Sequence, residues 1–586
     1  MLAGPGFPAQ GGLRVAVAAG AVPGSAGGRL RHGRGDQRPT GPRRIHRSGA
    51  ARGPCSVRGG RTAVTYSVGI DMGGTFTDGY FSDGEQAMIA KVPTTHFDLT
   101  RSVLACLAGG AEAFDVPLEH FLGDIGLFRL ATTIGTNAVV TGTGDPVGLM
   151  VEAGAEKSLY GPNEPAPALG VFVTPDHVVG VDPEAAAEEV LALCRDLVQQ
   201  GVRHTVVSLR GPRRDAEAGL RELVRDRYPV HYLRSIPLTM GWETADVDDD
   251  GLRTNTAVLN AYLSRPMAKL LYRTEGILQQ AGLAVPLMAA RSDGTFSRMP
   301  RTTAISTYSS GPAAGLGLAA VLAGQHGDST VVAFDMGGTT LDLGLVRDGA
   351  HEVNPEPEIR GVPVSLPVPG IVSVGLGGSS IASADSSGTV TVGPASAGAV
   401  PGPAAFGRGG AEPTLTDADM ELGLLADGEV LPGDIVLDAG RASAALAPLA
   451  DGDATAAARL VHEAAHNKAA AAIENLLSRS GVDPAEATLY AFGGAGGLHA
   501  GPVADVVGIS RVRSFAAGGV FSARGVAEAA LDGSALGRWH DADSYLPEGV
   551  MAGPALVNVS GAVHAVPTGW TARRDGADSL LWERAG

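Results

Sequence analysis

The sequence predicts an α/β fold of two similar lobes facing each other across a cleft, followed by a short β-rich segment. Three observations predict it. An Asp-x-Gly-Gly-Thr turn occurs twice, as Asp71-Met-Gly73-Gly74-Thr75-Phe-Thr-Asp78 and as Asp335-Met-Gly337-Gly338-Thr339-Thr-Leu-Asp342. Each copy lies between two short apolar runs, the first being 66–70 or 330–334, so the repeated unit is strand, glycine turn, strand. A third apolar run, 489–492, ends in Gly493-Gly494-Ala-Gly496 and opens a helix, which repeats the pattern.

The chemistry these turns suit is phosphate binding. Paired glycines let the backbone approach an anion and aim N–H groups at it, and the following Thr adds a hydroxyl. Asp71 and Asp335 repel an anion by themselves, so they are read as catalytic acids that hold Mg²⁺ or orient a water. A tight hairpin needing only glycine explains one copy, but is a poor account of two. Duplicated turns of this kind resemble the phosphate signature of the actin, sugar-kinase and chaperone ATPase superfamily. That resemblance implies two actin-like, ribonuclease H-like lobes around a nucleotide cleft, with ATP and Mg²⁺ as cofactors.

The chain has 586 residues, enough for several cores, with 44% hydrophobic and 18% charged residues. Cys55, Cys106 and Cys194 have no pairing or metal spacing, which points to a reduced, cytoplasmic protein, and no run has the length of a membrane span. Net charge is −17, although residues 1–64 carry eleven arginines against the single acid Asp36. The rest is therefore more acidic still, and neither nucleic acid nor membrane is expected as a partner.

Residues 1–64 are Gly/Pro/Arg-rich without periodicity and are expected to be disordered. The first lobe is assigned to 65–300. After the first turn come a return strand at 87–92, a helix at 99–114, and a strand from Phe128 that ends in Thr132-Thr133-Ile-Gly135-Thr136-Asn137 and opens a helix. Thr133 and Asn137 are candidate substrate contacts, with an ordinary helix cap as the equal alternative. Asp182-Pro183-Glu184 reads as a helix start and Gly201 as its stop, followed by a strand at 204–209. A long helix is expected over 252–281 and a strand over 285–290.

The second lobe is assigned to 301–530. Ser309-Ser310-Gly311-Pro312-Ala-Ala-Gly315 enters a helix that runs to Leu322. Ser310 and Gly311 are candidate substrate contacts at that helix start, although close packing through Gly315 and Gly317 leaves the same trace. Residues 355–413 form a long irregular Gly/Pro/Ser-rich stretch, expected to wall the site rather than to link domains. A helix spans 454–480. His499, just beyond the third glycine turn, is a candidate substrate contact, with a packed or capping histidine as the favoured alternative. Residues 531–586 are assigned to a short C-terminal β remnant.

Several stretches, in order, resemble the hydantoinase A/oxoprolinase family, which includes acetone carboxylase beta subunits. They are 69–78, Ala90-Lys-Val-Pro-Thr-Thr95, 132–137, Asn260-Ala-Tyr262, 310–315, 335–342, Gly402-Pro-Ala-Ala-Phe-Gly-Arg408-Gly-Gly410, 413–418 and 492–496. The resemblance implies ATP-dependent phosphorylation of an amide, lactam or enolate oxygen, with a B-type hydantoinase or carboxylase subunit as partner in a hetero-oligomer. It also places Gly73, Gly74, Thr75, Asp78, Gly337, Gly338, Thr339, Asp342, Gly493, Gly494 and Gly496 around the nucleotide, and a metal at Asp71 and Asp335. The chain departs from the pattern in three places. The Asp-x-His that many members carry is replaced by the stretch Gly370-Ile-Val-Ser373, Gly497 stands where Pro is usual, and the C-terminal part is short. The first expectation is a hydrolase of cyclic amides such as hydantoin, oxoproline or a lactam. The alternatives are the ATP-handling subunit of a ketone carboxylase, and a nucleotide-binding scaffold without catalysis.

Overall fold

The computed structural model describes residues 65–95, 97–160, 167–229, 237–528, 549–559, 562–576 and 578–585; the expectation for 1–64 lies outside them. The first sheet contains β1 (Tyr66–Met72), β2 (Phe76–Ser82), β3 (Ala87–Pro93), β4 (Ile125–Thr132), β5 (Leu287–Ala290) and β6 (Phe296–Arg298), in the order β6-β5-β4-β1-β2-β3. β1 is antiparallel to β2 and parallel to β4. Val68 and Ile70 are fully buried in β1. One face of the sheet is covered by α1 (Leu99–Ala113), which turns Val103, Cys106, Leu107 and Ala111 inward at helical spacing.

The second sheet repeats this plan. β7 (Thr330–Met336) is antiparallel to β8 (Leu341–Arg347) and parallel to β9 (Thr488–Phe492), and β10 (Arg511–Phe515) follows in parallel. The two hairpins match residue by residue. Asp71 stands opposite Asp78 in the first, and Asp335 opposite Asp342 in the second. The Gly73 amide donates to the Phe76 carbonyl at 2.9 Å, and Gly337 donates to Thr340 at 3.0 Å. At the far edge, β11 (Trp570–Arg574) and β12 (Ser579–Arg584) add antiparallel strands beyond β10, so these C-terminal residues extend the second sheet.

A four-stranded parallel sheet (Val147–Glu152, Val178–Val181, His204–Ser208, Leu238–Met240) interrupts the first lobe between β4 and β5. The chain passes β4 to α2 (Ile134–Thr141), and returns from the inserted sheet through the 31-residue α3 (Asp250–Gln280), capped by Asp249 accepting from the Leu252 amide at 2.8 Å.

The lobes are locked together by α4 (Ser310–His326) and α8 (Phe521–Glu528), with α5 (Leu415–Glu421), α6 (Ala454–Ser480) and α7 (Gly496–Val507) between them in sequence. α8 lies on β1, and a Cβ on Gly69 would fall 2.3 Å from the Ala523 carbonyl oxygen. Gly525 lies equally tight against α4, where a Cβ would be 2.3 Å from the Ala314 oxygen. The last carbonyls of α8 are satisfied from the other lobe: Arg129 Nη1 donates to Val526 at 3.2 Å and Ala527 at 3.1 Å. Tyr80 donates to Glu528 at 2.7 Å.

Two sequence expectations are corrected here. The helix expected from Asp182 begins at Ala187, because Asp182 closes a turn instead. Its side chain accepts from the Glu184 amide, and its carbonyl from the Ala185 amide, both at 2.9 Å. The stretch 355–413 is not simply irregular. It holds the hairpins Glu358–Ile359/Val362–Pro363 and Ser380–Ala384/Val390–Ser396, and Ile371–Val374 pairs with β8. Its strands are short and interrupted by Gly and Pro, so no alternation shows in the sequence. Among the described residues no helix is long and apolar enough to cross a membrane.

Candidate functional site

The three glycine turns sit at the ends of β1, β7 and β9, and in each the second glycine (Gly74, Gly338, Gly494) is the exposed one. The third turn folds back against the second. Ala495 donates to the Met336 carbonyl at 2.9 Å, and Gly493, at φ +80°, leaves no room for a side chain. A Cβ there would lie 2.4 Å from the Met336 oxygen and 2.5 Å from an Asp335 carboxylate oxygen. The glycine is thus required by backbone conformation and by close approach. From the other side, Gly377 packs on the second turn, where a Cβ would sit 2.6 Å from the Thr339 nitrogen. The Ser379 amide donates to the Gly338 carbonyl at 2.6 Å. Residues 377–379, within the stretch expected to wall the site, thus pack against the second turn.

Four carboxylates line the two hairpins, and one lysine serves them unequally. Lys91 stands opposite Asp78 on β3, and its Nζ donates to both Asp78 oxygens at 2.8 Å and to the Gly519 carbonyl at 3.0 Å. Gly518, next in the chain, accepts from the Gly493 amide at 2.9 Å. A short chain of contacts thus runs from the first hairpin to the third turn, and on to Asp335. In the second hairpin the place of Lys91 is taken by Ser373, opposite Asp342. Burial first, then the charge of Asp78, push the Asp71 carboxyl up to about 7, with Lys91 opposing. Burial, then Asp342, then Asp71 across the lobes, push Asp335 up to about 8, again with Lys91 opposing. One Asp71 oxygen is buried with no hydrogen-bond partner. Clustered acids short of positive charge suit a divalent cation held by Asp71 and Asp335.

The remaining sequence candidates divide. Thr133 is tied to the first turn, its amide and hydroxyl both donating to the Met72 carbonyl, at 3.0 and 3.2 Å. The Asn137 amide nitrogen lies 3.8 Å from where a Cβ on Gly74 would be. The Thr133 side chain makes no helix cap and is held against the end of β1, while Asn137 stands beside the exposed glycine. Gly311, at the start of α4, faces Asp71, where a Cβ would lie 2.7 Å from the carboxylate oxygen. Ser310 is buried and accepts from the Thr132 amide at 3.3 Å, a joint between lobes rather than an open contact. Gly315 packs tightly, its Cβ position 2.9 Å from Ser522 Oγ, whereas Gly317 faces open space. His499 is corrected: it is 1% exposed, turned into the second lobe against His466, His462 and Asp419, and is not presented to a ligand in the cleft. Gly497 is explained by the C-terminal hairpin Ala555–Val559/Ala562–Val566, since a Cβ would meet His564 Nδ1 at 2.5 Å and the Val563 oxygen at 2.6 Å.

Sequence reasoning missed Lys91 as a site residue, although it stands inside a quoted motif. Its signal was a lone basic residue on the strand returning from an acid-bearing turn.

Comparison with known proteins identifies the family. The profile described as "Hydantoinase/oxoprolinase" matches residues 253–533, and "Hydantoinase/oxoprolinase N-terminal region" matches 67–217. The acetophenone carboxylase gamma subunit of Aromatoleum aromaticum is 33% identical over 496 residues, covering 78% of this chain and 67% of that protein. The caprolactamase subunit alpha of Pseudomonas jessenii is 30% identical over 475 residues, covering 76% and 67%. In fold, the chain is similar to nucleotide-free acetone carboxylase, with a TM-score of 0.75 at 19% identity, covering 89% of this chain and all of that one. Duplicated acid-bearing glycine turns, two repeated sheets and matching profiles over most of the described chain place it in the hydantoinase/oxoprolinase family.

Proposed function

We propose that this chain binds Mg²⁺·ATP between its two lobes and passes the γ-phosphoryl group to a carbonyl oxygen, opening a cyclic amide together with a B-type partner subunit. The observation that carries this reading is the matched pair of hairpins, in which Asp71 and Asp335 each stand at the end of a buried strand beside an exposed glycine, with the charge of Asp71 among those that raise the Asp335 carboxyl. The residues fit the ligand: unpartnered carboxylate oxygen for a cation, and glycine turns open to a polyphosphate.

In this reading Asp71 and Asp335 hold the cation, and the amides around Gly74, Gly338 and Gly494 steady the phosphates. Lys91 opposes the rise that burial imposes on the Asp78 carboxyl, and fixes the first hairpin to the third turn. Thr133 and Asn137 stand at the substrate side of the first turn. Phosphoryl transfer forms the carbonyl O–P bond, breaks the β,γ-bridge bond and releases ADP. Water adds to the activated carbon, the C–N bond breaks with the ring nitrogen taking a proton, and a second water hydrolyses the resulting acyl phosphate to the carboxylate and phosphate.

A second reading, the ATP-handling subunit of a ketone carboxylase, has a specific observation in its favour. The strand beside β8 offers Ser373 to Asp342, with no acid or imidazole in the stretch Gly370–Ser373. A scaffold without catalysis is disfavoured by the retention of both acid-bearing turns. Phosphate release from ATP, screened against hydantoins, lactams and ketones with and without a B-type subunit, separates the three. Lactam-stimulated turnover supports the first reading and ketone-stimulated turnover the second. Nucleotide binding without stimulation by any substrate would leave the scaffold.

A further inference from the structure

Behind the second glycine turn, on the inner side of three helices, lies a cluster that the proposed chemistry does not use. Asp419 on α5, His462 and His466 one helical turn apart on α6, and His499 on α7 meet there. His462 Nε2 is 2.8 Å from Asp419 Oδ1, and His499 Nε2 is 3.5 Å from Asp419 Oδ2. One donor atom from each of Asp419, His462 and His499 lies within 4.8 Å of the others. Asp419 and His499 are each 1% exposed, and His499 Nε2 is buried with no hydrogen-bond partner. His466 Nε2 meets the other nitrogen of the same ring, His499 Nδ1, at 3.1 Å.

We propose that Asp419, His462 and His499 bind one divalent transition-metal ion of the Zn²⁺ class, separate from the nucleotide's Mg²⁺, with His466 orienting His499. Two imidazoles and one carboxylate are a donor set for zinc and its neighbours rather than for Mg²⁺ or Ca²⁺, which take oxygen ligands. Bonds of about 2.0–2.1 Å place tetrahedral ligand atoms about 3.3 Å apart, so the closest pair must open slightly and the widest must close. Small side-chain rotations achieve that. With Nε2 on the metal, His499 carries its proton on Nδ1 and donates it to His466 Nε2, which fixes the ring as the outer acceptor of a ligating histidine does. Without a metal, His462 bonds one Asp419 oxygen while the buried His499 Nε2, 3.5 Å from the other, is left unsatisfied.

The position gives the ion a structural task. One turn before Asp419, Thr416 donates through its amide and its hydroxyl to the Gly378 carbonyl, at 2.8 and 2.9 Å, and Gly378 donates to the Gly337 carbonyl at 3.1 Å. One turn before His499 stands Gly496, at the end of the third glycine turn. An ion joining α5, α6 and α7 braces the second and third turns from behind.

The test is metal content and uptake by the full chain, free of any histidine tag. Elemental analysis of protein from zinc-supplemented growth is expected to find about one zinc per chain. After chelation, Co²⁺ added with excess Mg²⁺ is expected to give one equivalent of bound ion with a tetrahedral d–d absorption. Asp419→Asn and His499→Gln should each lose that ion. His466→Gln should keep it with about 10–100-fold weaker affinity, and Asp335→Asn, in the cleft, should keep it fully. Wild-type protein that takes up no Co²⁺ or Zn²⁺, or an equivalent that persists in both Asp419→Asn and His499→Gln, overturns the proposal. The wild-type titration decides the matter even where a variant fails to fold.

Discussion

Replacing Asp335 by Asn should make the metal-free protein more stable, and increasingly so as pH rises. Burial and the charges of Asp342 and Asp71 push this carboxyl from an ordinary 3.8 up to about 8. A carboxyl whose folded pKa is raised favours the folded state while protonated. That contribution is fully present below the unfolded value and is lost as pH climbs through about 8. Each pH unit between the two values costs the wild type about 1.4 kcal/mol, so the step from pH 5 to pH 8 amounts to on the order of 4 kcal/mol if the proton sits on Asp335 alone. Asp71 and Asp342 share the titration, and we expect a relative gain of about 2 kcal/mol for the variant over that interval. Urea unfolding in chelator at pH 5 and pH 8 measures it, and the same experiment with Mg²⁺·ATP should show stabilisation of the wild type only. Parallel pH profiles for the two proteins would refute the argument that Asp335 is a charge held under strain for a cation.

Three further substitutions probe the frame around the turns. Lys91→Met strands Asp78 without its cation and releases the tie to Gly519, and should cost about 1–3 kcal/mol in urea unfolding at neutral pH. Gly493→Ala puts a methyl group 2.4 Å from the Met336 oxygen at φ +80°, and should abolish Mg²⁺·ATP stabilisation in a thermal melt and lower the apo melting point. Gly69→Ala forces α8 off β1 and should cost about 1–3 kcal/mol; a variant with wild-type stability would show that the lobes are not packed as described.

The strands and turns were legible because each rests on local chemistry. Paired glycines after an apolar run admit few conformations, and a helical apolar spacing such as Leu99, Val103 and Leu107 has one reading. What escaped is tertiary. Lys91 acts through cross-strand pairing with Asp78 and through Gly519, hundreds of residues away. Gly69 and Gly497 look like ordinary glycines until α8 and the C-terminal hairpin are laid against them. His462 and His466 share a helix face in the sequence, but only the fold adds Asp419 and His499. The helix expected at Asp182 failed for a local reason: the same Asp serves a turn as readily as a cap.

The central claim is that one nucleotide is held jointly by both hairpins. Calorimetric titration of the full chain with a non-hydrolysable ATP analogue, with and without Mg²⁺, tests it most directly when run on wild type, Asp71→Asn and Asp335→Asn. The account predicts a single Mg²⁺-dependent site in the wild type, weakened at least tenfold by either substitution alone. Binding that ignores one of the two acids, or that needs no divalent cation, would contradict it.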